Sequence, residues 1–307
     1  LISQPWYRSA AFLITAWVTA GTAALGAAAW IIVRAVTRSS SRKEIARGDQ
    51  SYANVSMDLE VTELNAGTIP EASRYGGHVL EKHRTFLNRY NTASQLSNRV
   101  HALSSRDLGR RRHLKLARQY ADAASELDAL DDVIADTNAL LNKAGAWPTA
   151  WDRQLAPFRK DLAGLEQVLS KRHGQGDSAT AAALRSFRDQ SLRDIERWTA
   201  ELAEGKTTPE KALDRLYDAR SRLAVLLENH AQTVIGGFAK NQREAEVMRK
   251  EMQAAQDGLN HRGRRSYEPS ILGTVYPSYH FFSVATFTSG LNTGVSSVSS
   301  ARGGGGS

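Results

Sequence analysis

Residues 9–33 read SAAFLITAWVTAGTAALGAAAWIIV, an uncharged run of 25 residues between Arg8 and Arg34. As a helix rising about 1.5 Å per residue it extends roughly 37 Å, longer than the ~30 Å hydrocarbon core of a bilayer. Trp6 and Tyr7 precede it and Trp30 lies near its far end, where the aromatic residues of a spanning segment meet the two interfaces. A signal peptide has an apolar core of only about 7–15 residues behind a basic start, and here Arg8 alone comes first. The run is therefore expected to be a single-pass transmembrane anchor, with residues 1–36 as the anchor region.

Its flanks give an orientation. Arg34, Arg38, Arg42, Lys43 and Arg47 follow the span, against the lone Arg8 before it. Basic residues gather on the cytoplasmic side, so everything after residue 34 is expected in the cytoplasm of a bacterial plasma-membrane protein. The same cluster suits anionic lipid headgroups. Within the span, Ala16, Ala20, Ala24 and Ala28 recur every fourth residue. Small stripes let a second helix approach closely, which points to an integral membrane partner. The alternative is an Ala-rich anchor without one.

Taken over the whole chain the composition is that of a largely water-facing protein: 23% charged residues, a net charge of +8 and a negative mean hydropathy. Cysteine is absent, which excludes disulfides, thiolate metal sites and cysteine catalysis. The basic balance fits nucleic acid or anionic lipid, and for an anchored protein lipid is the simpler partner. The chain begins at Leu1, so it is expected to start inside a longer or processed polypeptide.

Residues 37–258 carry helical periodicity almost throughout. Ile45, Tyr52, Val55 and Leu59 form one stripe, broken at Gly67-Thr68-Ile69-Pro70. A second helix is expected from Pro70-Glu71 through Val79, Phe86, Ala93, Val100 and Leu103. Ser104-Ser105 and Asp107 mark a restart into a run with Tyr120, Leu127, Leu130 and Ile134. Trp147, Trp151, Leu155, Phe158, Leu162, Leu165 and Leu169 make a fourth stripe, with Pro157 starting or kinking it. Leu184, Phe187, Leu192, Ile195, Trp198 and Leu202 make a fifth, closed by Gly205. Thr208-Pro209-Glu210 opens a sixth, with Thr208 as N-cap and Pro209 in the first turn. Gly236-Gly237 is expected to bend that helix before Met248 and Met252. No segment reads as strand. The fold expected is all-α: the anchor, then an elongated antiparallel helical bundle with coiled-coil character, then an irregular tail over 259–307.

The tail is set apart by composition. Tyr276, Tyr279, Phe281, Phe282 and Phe287 stand among Ser, Thr, Gly and Pro, and the chain closes on Ser299-Ser300-Ala301-Arg302 and Gly303–Ser307. Such a chain alone buries too little apolar area to offset its ordering entropy. These aromatics are expected to strap onto a partner protein; the alternative is that the tail packs on its own bundle.

No arrangement of residues carries chemistry, and no cofactor is expected. The eight histidines form neither HxxxH nor a zincin pattern, and Glu-x-x-His is absent. Asp128, Asp131, Asp132 and Asp136 read as a solvated acidic helix face. Arg110, Arg111, Arg112 and Lys115 are the densest basic cluster. Without interleaved aromatics it reads as a solvated face, a lipid contact or an acidic-partner contact, and not as a nucleic-acid site.

In its architecture the chain resembles a group of actinobacterial membrane proteins in which an extracytoplasmic TPM domain precedes a transmembrane helix, a helical cytoplasmic region and a Gly/Ser-rich end. The matching parts are Ser9–Val33, the basic flank Arg34–Arg47, the long helices and the closing Ser299–Ser307. The TPM domain itself lies outside this sequence, so none of its residues carries over. The resemblance implies assembly or repair of membrane complexes, with a respiratory supercomplex of cytochromes bcc and aa3 as candidate partner. The expectation is a non-catalytic accessory or assembly subunit. Two other readings stand beside it: a tethered adaptor or sensor acting through residues 110–118, and the anchor of an enzyme whose active site precedes Leu1.

Overall fold

The computed structural model describes residues 7–169, 178–262, 270–276 and 283–303; of the helical stretches 7–28 and 257–262 it describes the backbone only. The helices run α1 (Tyr7–Thr68), α2 (Arg74–His83), α3 (Phe86–His101), α4 (Arg111–Leu141), α5 (Trp147–Leu169), α6 (Ala179–Ala203), α7 (Pro209–Phe238), α8 (Gln242–Arg262), α9 (Ile271–Val275) and α10 (Val284–Gly303), with a 3-10 turn at Asp107–Gly109. Among the described residues there is no strand, as the periodicity predicts. Most of the expected anchor lies outside the described side chains. Among the described residues no helix is long and apolar enough to cross a membrane.

α1 ends where the break is predicted, and Thr68 turns its hydroxyl back onto Asn65 O at 2.8 Å. The next helix starts later than expected. Pro70 and Glu71 lie in a turn, and Ser73 is the N-cap, its hydroxyl accepting from Gly76 N. The single helix expected through Leu103 is two, α2 and α3. At the break Thr85 sends both its N–H and its hydroxyl to Lys82 O, at 3.1 and 2.9 Å, so the chain leaves the helical ladder.

The chain forms two compact units, Leu1–Asp58 with Phe86–Asp128, and Leu59–Thr85 with Ala129–Ser307. In the first, Val100, Tyr120 and Ala124 are buried, with Ile45, Tyr52, Leu96 and Leu116 packed around them. α3 runs antiparallel to α1: Tyr90 stacks on Tyr52 (5.3 Å between centroids) and His101 reaches Asp49 at 3.3 Å. α4 runs parallel to α1. Arg118 pairs with Glu44 at 3.5 Å, Arg47 with Asp122 at 2.7 Å, and Asn54 Nδ2 donates to Asp128 at 3.5 Å. α1 and α4 run the same way because α3 carries the chain back between them.

The second unit packs around α5. Trp151, Leu155, Phe158, Leu162, Leu165 and Leu169, the stripe read from the sequence, are all buried. Each such side chain contributes about 1.5–3 kcal/mol of burial. Pro157 lies inside the helix and removes one ladder bond without ending it. α6 returns antiparallel, with Trp151 Nε1 donating to Thr199 Oγ1 at 2.9 Å and Glu166 gripped by Arg185 and Arg188, both at 3.1 Å. Gly205 closes α6 at φ +73°, the left-handed region. Thr208 and Pro209 open α7 as predicted, Thr208 Oγ1 accepting from Lys211 N. Just beyond Gly236-Gly237, where a bend is expected, α7 ends at Phe238, and α8 starts afresh with Asn241 accepting from Glu244 N at 3.0 Å.

The tail is not irregular where it is described. α10 lies antiparallel along α8, with Gly290 against Met252 and Gly294 against Met248. A Cβ on Gly290 would stand 2.9 Å from Met252 Cα, so this approach requires glycine. Arg302 completes the seam through Glu244 at 2.5 Å and Phe238 O at 2.9 Å, and holds the Glu244 carboxyl down at about 2. Phe287 is fully buried. Tyr276 stacks on Tyr217 (4.1 Å) with Arg74 over its ring (4.9 Å). These two aromatics, expected on a partner, pack within the chain's own second unit. Tyr279, Phe281 and Phe282 lie outside the described residues.

Candidate functional site

Buried polar residues of the second unit join its helices. Gln154 and Asp161 sit two turns apart on the buried face of α5, and each receives the start of a C-terminal helix. Gln154 Oε1 accepts from Ile271 N at 2.9 Å and from Ser270 Oγ at 3.2 Å. Asp161 Oδ1 accepts from Val284 N at 3.0 Å. Behind Gln154 stands Asp136, bonded to it at 3.3 Å and paired with Arg153 at 2.9 Å. The acidic face is therefore not wholly solvated: Asp136 is buried, and burial pushes its carboxyl up to about 6 against the pull of Arg153.

Several histidines also serve the fold. His113 Nδ1 donates to Asp107 O at 2.8 Å, and His230 is buried, bonded to Thr180 at 2.8 Å and stacked on Phe287. Among the described residues no group of His, Asp and Glu is placed to hold a metal ion. A shallow hollow of about 590 Å³ on α5 is lined by Pro148, Asp152, Arg153 and Arg159, two of which, Asp152 and Arg159, neutralise each other at 2.7 Å.

The sequence's basic candidates come together in the first unit. The corner between α3 and α4 is folded by Ser104, whose hydroxyl donates to Asp107 Oδ2 at 2.6 Å. That bond, with the nearby Arg110 charge, holds the Asp107 carboxyl below its ordinary range. The corner is fastened to α1 at two points. Buried Ser41 donates to Leu108 O at 2.9 Å, and Arg34 Nη2 to Arg106 O at 3.2 Å. Between them a Cβ on Gly109 would meet Arg34 Cγ at 3.0 Å. Residues about 70 apart in sequence are thus brought side by side: the stretch of α1 that carries Arg34, Arg38, Arg42 and Lys43, and the corner that carries Arg106, Arg110, Arg111, Arg112 and Lys115. Spacing within either segment could not reveal this, since the Ser41–Leu108 bond is visible only in three dimensions.

Two features make the surface unusual. α4 opens on Arg111 and Arg112 with no acidic residue in its first turn, and cations at this positive helix end cost on the order of 0.3–1 kcal/mol each at low salt. Directly before Arg34, α1 exposes Trp30, Ile31, Ile32 and Val33, with Val36 one turn on; Trp30 and Ile32 are 60% and 62% exposed. Arg34 lies over the Trp30 ring at 4.7 Å. The expected interface residues Trp30, Arg34 and Arg38 fall at this junction. Trp6 and the side chains of Tyr7, Ala16, Ala20, Ala24 and Ala28 lie outside the described residues.

Fold and site together define an all-helical protein with a basic collar beside an exposed apolar band. The chain belongs to the family described as "Domain of unknown function (DUF5129)", whose model matches residues 1–216. No curated protein and no solved structure matches it.

Proposed function

We propose that this protein is a non-catalytic accessory or assembly subunit of a plasma-membrane protein complex, anchored through Ser9–Val33, with its helical body in the cytoplasm. The observation that carries this reading is the band Trp30–Val33 with Val36, exposed on a helix that runs without a break from Tyr7 into the buried positions Ser41 and Val55. Five large apolar side chains bared on one helix call for a nonaqueous cover, and a bilayer edge supplies it at the end of an uncharged run. Action by contact is supported by the buried polar groups Asp136, Gln154, Asp161 and His230, each engaged in holding helices together. The resemblance to TPM-domain membrane proteins makes a respiratory bcc–aa3 supercomplex the first complex to look for. The test is affinity purification of the tagged full chain from native membranes in mild detergent. A defined membrane complex in fixed ratio is expected. Recovery in the alkali-soluble fraction, or as a monodisperse monomer from detergent, would overturn the reading.

A further inference from the structure

We propose that the α3–α4 corner and the first turns of α1 beyond Val33 form one binding surface for the phosphate headgroups of anionic lipid. The inference rests on the membrane reading of residues 9–33 and assigns the partner of the collar.

Four cations lie on α1 between Arg34 and Lys43, and five between Arg106 and Lys115. Within these two segments the only carboxylate is Asp107, already turned to Ser104 and Arg110; Glu44, next along α1, is taken by Arg47 and Arg118. Arg110, Arg111, Arg112 and Lys115 are exposed, as are Arg42 and Lys43. Ser41 and Arg34 pin the corner beside α1, so the cationic excess is concentrated and held in place. Arg38 adds a more specific feature. Its Nε is buried, and among the described residues no acceptor reaches it. A buried guanidinium N–H calls for an acceptor, and an anionic phosphate oxygen matches it in charge once the Arg38 side chain turns outward to meet it.

The ligand is a lipid and not a free phosphate or a nucleic acid because of what adjoins the charge. The exposed band of Trp30, Ile31, Ile32 and Val36 begins within a turn of Arg34. An amphiphile satisfies both, acyl chain on the band and phosphate on the collar, whereas a polynucleotide would leave the band in water. No aromatic residue interrupts Arg110–Lys115 to stack on bases.

The test uses the full chain in mild neutral detergent, titrated with phosphatidylglycerol or phosphatidylcholine, bound lipid being counted by native mass spectrometry. Saturable binding of phosphatidylglycerol is expected, with phosphatidylcholine much weaker. The triple variant R110E/R111E/R112E should weaken phosphatidylglycerol binding about a hundredfold, given roughly a tenfold effect for each one or two cations at an anionic surface. R42E/K43E, on the other segment, should weaken it about tenfold or more, and helical ellipticity unchanged from wild type reports that each variant is folded. Equal binding of both lipids, unchanged affinity in both folded variants, or equal competition by inorganic phosphate or duplex DNA would each overturn the proposal. Failure here leaves the anchor reading standing if the chain still resists alkaline extraction. Conversely, an alkali-extractable chain that binds phosphatidylglycerol loses the anchor and keeps the collar.

Discussion

Replacing Phe287 by alanine tests whether the C-terminal segment is part of the chain's own core. The ring is fully buried, faces His230 at 5.8 Å between centroids, and sits on α10. Removing it forfeits the ring's burial and leaves a cavity that the helices fill only partly, a cost of about 3–5 kcal/mol. For a unit of this size, about 2–4 °C per kcal/mol, the thermal midpoint should fall by roughly 6–20 °C. The assay is unfolding of the full chain followed by ellipticity at 222 nm, thermally and in urea, with Leu192→Ala as a half-exposed control on α6 costing less than about 1 kcal/mol. If Phe287→Ala costs no more than that control, the ring is not in the core, and the reasoning that places the tail on α5, α7 and α8 fails.

Other substitutions bear on the same unit. Gly290→Ala should destabilise by about 1–3 kcal/mol, since its Cβ meets Met252 Cα at 2.9 Å, whereas Gly236→Ala, with open space around it in α7, should stabilise by up to about 1 kcal/mol; urea midpoints decide both. Thr208→Ala removes the α7 cap and should cost about 1 kcal/mol in the same assay. Asp136 has its folded value raised to about 6, so the folded chain binds its proton more tightly than the unfolded chain. Its penalty is present above pH 6 and disappears below about pH 4. Asp136→Asn should therefore gain about 1–2 kcal/mol over wild type at pH 8 and nothing at pH 4, and a gain independent of pH would refute the cause assigned.

The helical class and most of the core were legible because burial repeats along the sequence. The α5 stripe from Trp151 to Leu169 and the Thr208-Pro209 start needed no tertiary information. The division of α2 from α3 was hidden by the same regularity: Val79, Phe86, Ala93 and Val100 are buried at seven-residue intervals that run straight across the break. The tail misled through composition. Ser, Thr and Gly are weak helix formers alone, but Gly290 and Gly294 fall on one face and let α10 lie directly on Met248 and Met252. Gln154 and Asp161 read as ordinary polar residues of α5; nothing nearby in sequence announces that amide donors 117 and 123 residues later will meet them. The collar was visible as two charged segments, but not as one.

The sockets on α5 set a timetable for synthesis. Gln154 and Asp161 emerge from the ribosome long before Ile271 and Val284, so the nascent second unit has to wait for the two backbone donors that these side chains accept in the folded chain. A fragment cut at residue 216, where the family match stops, keeps both sockets and loses both plugs. It should be recovered as a sticky, protease-sensitive product, whereas a chain that retains residues 271–303 should not.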